Sequence, residues 1–305
     1  MKKIIITESQ YRTIRKYLLE SGLSSYSLDW DDNILRMPTK IKMDKKTNDK
    51  WAPLEVSTEE FAHVRNDPNY RVRNNNFSEA FVDFRDDKKF EEDVKYAINH
   101  NDFAPSYEDF IQALINVEHF AINTARGHSP NAIRKGVKIF IDKVFTDDQK
   151  KMMYGNLKKE LPQGLTKTLN FSQLIDLYFD ERGGFYPVSS EEFGKQFGLE
   201  VSGGAANPEH AKKVALEDKI KKYLNDPKTK NALKKGVDVS FGFSDDDKKN
   251  VKASEDFFEN ELSLMYPEIY FAVYDTSGGG KKETFFKNGK KINYKPKGLN
   301  LNVSV

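Results

Sequence analysis

Tyr26-Ser27-Leu28-Asp29-Trp30-Asp31-Asp32-Asn33-Ile34-Leu35 runs a short extended segment straight into a cluster of aspartates. Carboxylates at the end of a strand are a site signal in α/β folds, where ligands bind outside the carboxyl ends of the strands. Two later stretches repeat the pattern. Phe120-Ala121-Ile122 ends at Asn123-Thr124-Ala125-Arg126-Gly127, and Ser129-Pro130 then opens a helix carrying Ile133, Val137 and Ile141. Residues 237–243 are strand-like and end in Ser244-Asp245-Asp246-Asp247, with a helix entered through Asn250-Val251-Lys252-Ala253. A further strand is predicted over 269–274, and Pro208 starts a basic helix through Lys212, Lys213, Val214, Leu216, Ile220 and Leu224.

Composition narrows the chemistry. The 305-residue chain has no cysteine, which excludes a disulfide scaffold, a thiol nucleophile and any zinc site built on cysteine. Lysine and arginine number 49 against 47 acidic residues, so a dedicated nucleic-acid coat with a large basic excess is not expected, although a local basic groove is compatible. With 22 Phe and 14 Tyr, the chain has ample material for a core. No apolar run approaches the roughly 20 residues a membrane helix needs, and the stretch after Met1 is too short for a secretory signal. The expectation is a soluble cytoplasmic protein.

Around the core lie less regular segments. Thr7-Glu8-Ser9-Gln10 has capping-box spacing and predicts a helix through Tyr11, Ile14, Tyr17 and Leu18, ended by Gly22. Residues 36–112 read as an inserted cap with helical stretches over 90–98 and 107–115, and residues 145–206 as a second insertion with loops at Gly183-Gly184 and Ser202-Gly203-Gly204. The core then comprises residues 1–35, 113–144 and 207–305. The predicted fold class is α/β, with a mostly parallel sheet between helices and helical cap insertions.

Three strand ends thus present, in chain order, a carboxylate cluster, a hydroxyl with an arginine, and a second carboxylate cluster preceded by a lysine-bearing helix. This order resembles the haloacid dehalogenase (HAD) superfamily of phosphohydrolases, whose first motif is a hydrophobic strand followed by Asp-x-Asp-x-Thr. Leu28 to Leu35 is similar to that motif, with Asn33 where the threonine usually stands. The resemblance implies a three-layer Rossmannoid core and an Mg²⁺-dependent phosphatase. It makes Asp29 the nucleophile that forms an aspartyl-phosphate. Asp31 would be the acid that protonates the leaving oxygen and the base that later deprotonates water.

Ile122-Asn123-Thr124-Ala125-Arg126 resembles the second motif, with the Thr124 hydroxyl and the Ala125 amide on the phosphoryl group and Arg126 reaching the substrate. The Thr-Ala-Arg form is similar to that of polynucleotide kinase-phosphatases, which implies a nucleotide or polynucleotide 3′-phosphate end as substrate. The third motif is a lysine, for which Lys213 is preferred and Lys212 stands close behind; Lys219, Lys221 and Lys222 read as a solvated helix face. The fourth resembles Phe243 to Val251, with Asp245 and Asp246 as metal ligands beside Asp29 and the Asp31 carbonyl, and Asn250 as the later polar position. Oxygen ligands alone suit Mg²⁺. The alternative is a catalytically silent protein of the same fold that binds or scaffolds a partner.

Other features read as structural. Ser277-Gly278-Gly279-Gly280-Lys281-Lys282 lacks phosphate-loop spacing and predicts a hairpin. The five histidines show no metal spacing, and His128 reads as structural despite its closeness to Thr124. Asp83, Arg85, Asp86 and Asp87 predict a charged surface turn, and Trp30 and Trp51 offer rings that stack a base or shield the site, with burial as the default.

Overall fold

The computed structural model describes residues 22–200 and 207–293. The helix expected after Thr7 and the loop at Ser202-Gly203-Gly204 lie outside the described residues. Strands β1 (Gly22–Leu28), β5 (His119–Thr124), β6 (Phe185–Pro187), β7 (Asp238–Asp245) and β8 (Ile269–Asp275) form the parallel part of a seven-stranded sheet. Strands β9 (Lys282–Lys287) and β10 (Lys290–Ile292) extend it antiparallel, and the Gly278-Gly279-Gly280 stretch turns the β8–β9 hairpin.

The order across the sheet is β10-β9-β8-β7-β1-β5-β6. Passing from β1 to β5 to β6 the chain moves one way, and passing from β7 to β8 it moves the other. The direction therefore reverses between β1 and β7, and the crevice such a reversal opens at the carboxyl ends of the strands is where α/β sheets bind ligands. Asp29 follows β1 directly and Asp245 ends β7. The fold is thus α/β with a mostly parallel central sheet, compatible with a Rossmann-like arrangement.

Strand alternation divides the core into two faces. Tyr26 and Leu28 lie in register with Gly242 and Ser244, and the Tyr and Leu join a cluster with Phe90, Phe110, Phe120, Ile133, Val137 and Phe140. Phe241 and Phe243 lie in register with Ser25 and Ser27 and pack on the opposite face with Leu216, Ile220, Phe258 and Phe271. The two phenylalanines fill the space that the small serines of β1 leave. Gly242 has the converse job, since a Cβ there would come within 2.8 Å of the Tyr274 ring and 3.2 Å of the Tyr26 ring.

The regions read as insertions behave differently from the expectation. Residues 41–72 hold a second sheet as well as a short helix (Thr58–Val64): β2 (Ile41–Thr47), β3 (Lys50–Val56) and β4 (Tyr70–Val72), in antiparallel order β3-β2-β4. Ile41 and Met43 on β2 alternate inward with Leu54 and Val56 on β3 over Phe84. Asn48 and Asp49 both take positive φ (49° and 58°), the two-residue turn whose twist suits a hairpin. The helices Asp87–Asn99 and Tyr107–Ile115 do form, but their Phe90 and Phe110 belong to the main core. Residues 145–206 likewise supply Met153, Leu157, Leu174 and Phe179 to that core and β6 to its sheet edge. Asp86 and Asp87 are anchors: Asp86 caps the helix behind it, and Asp87 accepts from the Ser129 amide and hydroxyl.

Two histidines are buried without charge. His128, wholly enclosed, rests against Phe90 at 4.9 Å, and burial beside Arg126 lowers its pKa to about 3. His119 faces Asp226 at 3.4 Å, yet burial outweighs that carboxylate and lowers its pKa to about 4. A folded-state pKa below the unfolded value means that stability is complete above about pH 6.5 and is lost as pH falls toward 4. The expected result is a loss of several kcal/mol, because each tenfold difference in proton affinity between the folded and unfolded chain is worth about 1.4 kcal/mol. Thermal midpoints across that range should fall less steeply for His128→Gln than for the parent.

Candidate active site

The loop after β1 is held in place by one side chain. Asn33 is fully buried, donates from Nδ2 to the carbonyls of Asp29 (3.1 Å) and Ser244 (3.3 Å), and accepts at Oδ1 from Ser106 (2.9 Å), Ser244 (2.8 Å) and Thr276 (3.0 Å). It ties the loop to the ends of β7 and β8. The Asp29 amide also donates to the Ser244 carbonyl at 2.9 Å, extending the β1–β7 pairing by a residue. Trp30, fully buried against Phe90 and Phe110, closes the turn from below. Asn33→Ala would leave several buried groups unmet at about 1–3 kcal/mol each. A destabilisation of about 3 kcal/mol is expected in denaturant unfolding, without a change in the slope that reports exposed surface.

Asp29, Asp245 and Asp246 form a compact group in which one carboxylate oxygen from each lies within 4.8 Å of the others. Asp245, fully buried, accepts at Oδ1 from the Asp247 amide (2.9 Å) and the Asn250 side chain (3.1 Å) and at Oδ2 from Lys212 Nζ (2.6 Å). Lys212 also lies 3.3 Å from Asp29 Oδ2. The second oxygen of Asp29, Oδ1, is buried with no hydrogen-bond partner. Burial holds the Asp29 carboxyl well above the ordinary range; Lys212 opposes this, while Asp245 and Asp31 add to it. Burial and the neighbouring Asp245 and Asp29 raise Asp246 in the same direction. For Lys212 burial disfavours the charge, but Asp245 and Asp29 outweigh it and raise its pKa.

One ammonium among three carboxylates leaves a formal excess of two negative charges when all are ionised. A divalent cation fits that excess, and hard oxygen donors suit Mg²⁺. Asp29, Asp245 and Asp246 are the side chains that would hold it. Asp31, expected as a ligand through its carbonyl, turns its carboxylate away from this group.

That carboxylate is gripped by Arg126. Nε donates to Oδ2 at 2.7 Å and Nη2 to Oδ1 at 2.6 Å, a two-pronged contact between groups that are both buried. Arg126 Nη2 also donates to Thr39 Oγ1 (2.9 Å), which donates to Asp93 Oδ2 (2.6 Å), and Lys89 pairs with Asp93 from one helical turn away. The guanidinium lies over Phe84 and Phe90 at 4.7 and 5.3 Å. Thr124 ends β5 buried, with its hydroxyl accepting the Arg126 amide at 3.3 Å, and Ala125 is exposed beside it. Sequence reasoning missed Thr39, Asp93, Ser106 and Thr276, which reach the site from segments carrying no motif.

The lysine assignment is corrected by the helix Pro208–Asn225. Lys213, the preferred residue, lies 5.1 Å over the Phe257 ring, and it is Lys212 that reaches the aspartates. Lys212 shares the buried stripe with Ala215, Leu216, Lys219, Ile220 and Tyr223, and that spacing was available as a signal. Lys219 is corrected for the same reason: it is buried, donates to the Arg182 carbonyl at 2.6 Å, and burial lowers its pKa to about 7. Lys221 and Lys222 are exposed as expected. The helix is pinned to β5 by Asn123, whose side chain donates to the Lys212 carbonyl at 3.1 Å.

Comparison with protein-family models, with curated proteins and with solved structures returns no match for this chain. No helix among the described residues is long and apolar enough to cross a membrane.

Proposed function

We propose that the chain is a HAD-like, Mg²⁺-dependent phosphomonoester hydrolase working through an aspartyl-phosphate on Asp29. The observation that carries this reading is the Asp29 carboxylate itself. It stands at the point where strand order reverses, with one oxygen facing Lys212 and the other buried without a partner, beside two further carboxylates. An Asp29 oxygen attacks phosphorus, the bond to the leaving oxygen breaks, and Asp31 supplies the proton to that oxygen. Asp31 then takes a proton from the water that releases phosphate. Lys212 and the Thr124 hydroxyl balance charge on the phosphoryl oxygens. Mg²⁺, when bound, neutralises the carboxylates enough for an anionic substrate to approach.

Nucleotides or polynucleotide phosphate ends are the substrates favoured by the Thr124-Ala125-Arg126 resemblance. The test is phosphate release from a panel of phosphomonoesters, including nucleotides and 3′-phosphorylated oligonucleotides, with Mg²⁺ and with chelator. Release that requires Mg²⁺ supports the reading.

One observation favours the second reading, a silent binding protein. Arg126 occupies both oxygens of Asp31, so the pair must open before Asp31 can offer a proton to a substrate. A folded protein that releases no phosphate from any member of the panel, while binding one of them, would establish that reading instead.

A further inference from the structure

The β2–β3 hairpin stands on the site loop by both feet. Thr39, two residues before β2, bonds to the guanidinium that holds Asp31, and Thr58, two residues after β3, donates to the Asp32 carboxylate. From these feet the strands run seven residues each, a span of roughly 20 Å. Residues 45–53 at the far end are all exposed.

Charge collects on this hairpin. From Lys40 to Val56 there are five lysines against Asp44, Asp49 and Glu55, an excess of two, equal to the +2 net charge of the whole chain. One of the two aspartates, Asp44, is buried and matched by Arg71 and Arg73 at 3.1 and 2.9 Å. The face opposite the packed Ile41 and Met43 presents Lys42 beside Glu55 and Lys46 beside Trp51, with Arg71 alongside on β4; Lys42 lies 3.9 Å from Asp83 and Lys46 3.0 Å from Asp49. Trp51 is 37% exposed, and the Arg71 guanidinium lies 4.3 Å from the centre of its ring. An indole braced in this way by a cation, and left open to solvent among lysines, matches the two elements of a single-strand platform. Its ring stacks on bases and its cations follow the phosphates.

We propose that this hairpin grips the chain of a single-stranded polynucleotide whose phosphorylated end enters the site beneath it. The inference rests on the phosphatase reading for the end and on the hairpin alone for the grip. An acidic peptide would satisfy the lysines but gives Trp51 nothing to stack on. The hairpin's reach calls for a strand of about four nucleotides or more.

The test separates the two. Binding of fluorescent oligodeoxynucleotides without a terminal phosphate is followed by anisotropy for lengths of about one to eight nucleotides, beside a polyglutamate peptide of equal charge. Affinity should rise with length, exceed that for the peptide, and weaken with salt. Trp51→Ala should lower oligonucleotide affinity by about tenfold, and Trp51→Phe should restore most of it. Replacing Lys42 and Lys46 together by alanine should reduce the slope of log affinity on log salt by about one. Hydrolysis of a small aryl phosphate should stay within about twofold in all of these variants, since none of the residues touches the site. Affinity independent of length, equal binding of the peptide, or unchanged binding by Trp51→Ala would overturn the proposal. Length-dependent binding without any phosphate release would sustain the grip and overturn the phosphatase reading alone.

Discussion

Asp29→Asn is expected to abolish Mg²⁺-dependent phosphate release, lowering kcat by at least about 10⁴-fold, as loss of a covalent nucleophile does. The amide has almost the same shape, so the fold should survive, and its stability should move in a telling direction. Burial holds the Asp29 carboxyl above its unfolded value, so the folded state binds the extra proton. Ionising it costs stability as pH rises past about 4, the unfolded value. The uncharged amide escapes that cost. In chelator at neutral pH the variant should therefore melt at or above the parent, whereas added Mg²⁺ should stabilise the parent more than the variant. Phosphate release retained by Asp29→Asn would rule out the aspartyl-phosphate route, whatever the melting curves show.

Lys212→Met and Lys213→Met should differ sharply although the residues are neighbours. Lys212 is the buried counter-charge of Asp245 and Asp29, at 2.6 and 3.3 Å. Removing one partner of a buried pair leaves the other uncompensated at about 3–5 kcal/mol. If the proposed phosphatase mechanism holds, activity should fall by about 10²–10³-fold, from the loss of a charge that this mechanism places on the phosphoryl oxygens. Lys213→Met gives up only a contact with the Phe257 ring and should stay within about 0.5 kcal/mol of the parent with activity intact. Unfolding in denaturant and steady-state kinetics on the same substrate decide the matter. Equal effects at the two positions would contradict the arrangement.

Much of the core was legible because its signals are local. The acidic turn after Leu28, the polar turn after Ile122 and the acidic turn after Phe243 each sit at the end of a strand-like segment, and Ser129-Pro130 and Pro208 mark helix starts. The β2–β3 hairpin was not legible in the sequence, because the lysines of β2 on both faces blur its alternation; its left-handed turn at Asn48 and Asp49 belongs to the folded backbone. Of the two neighbouring lysines, it is the less preferred Lys212 that meets the aspartates, because only it lies on the buried stripe of the helix.

The sequence by itself determined the segments that become β1, β5, β7 and β8 and that aspartates cluster at strand ends, since these follow from the chain's own periodicity and turn chemistry. Only the tertiary structure decided which groups meet. Asn33 collects hydroxyls from Ser106, Ser244 and Thr276, and Arg126 reaches back to Asp31 and Thr39. Strand order across the sheet brings Asp29 and Asp245 to one crevice, with Asp246 beside them. Such contacts join residues tens to hundreds of positions apart. They are fixed by which apolar faces bury against one another, and the polar groups carried along must then find partners where packing leaves them.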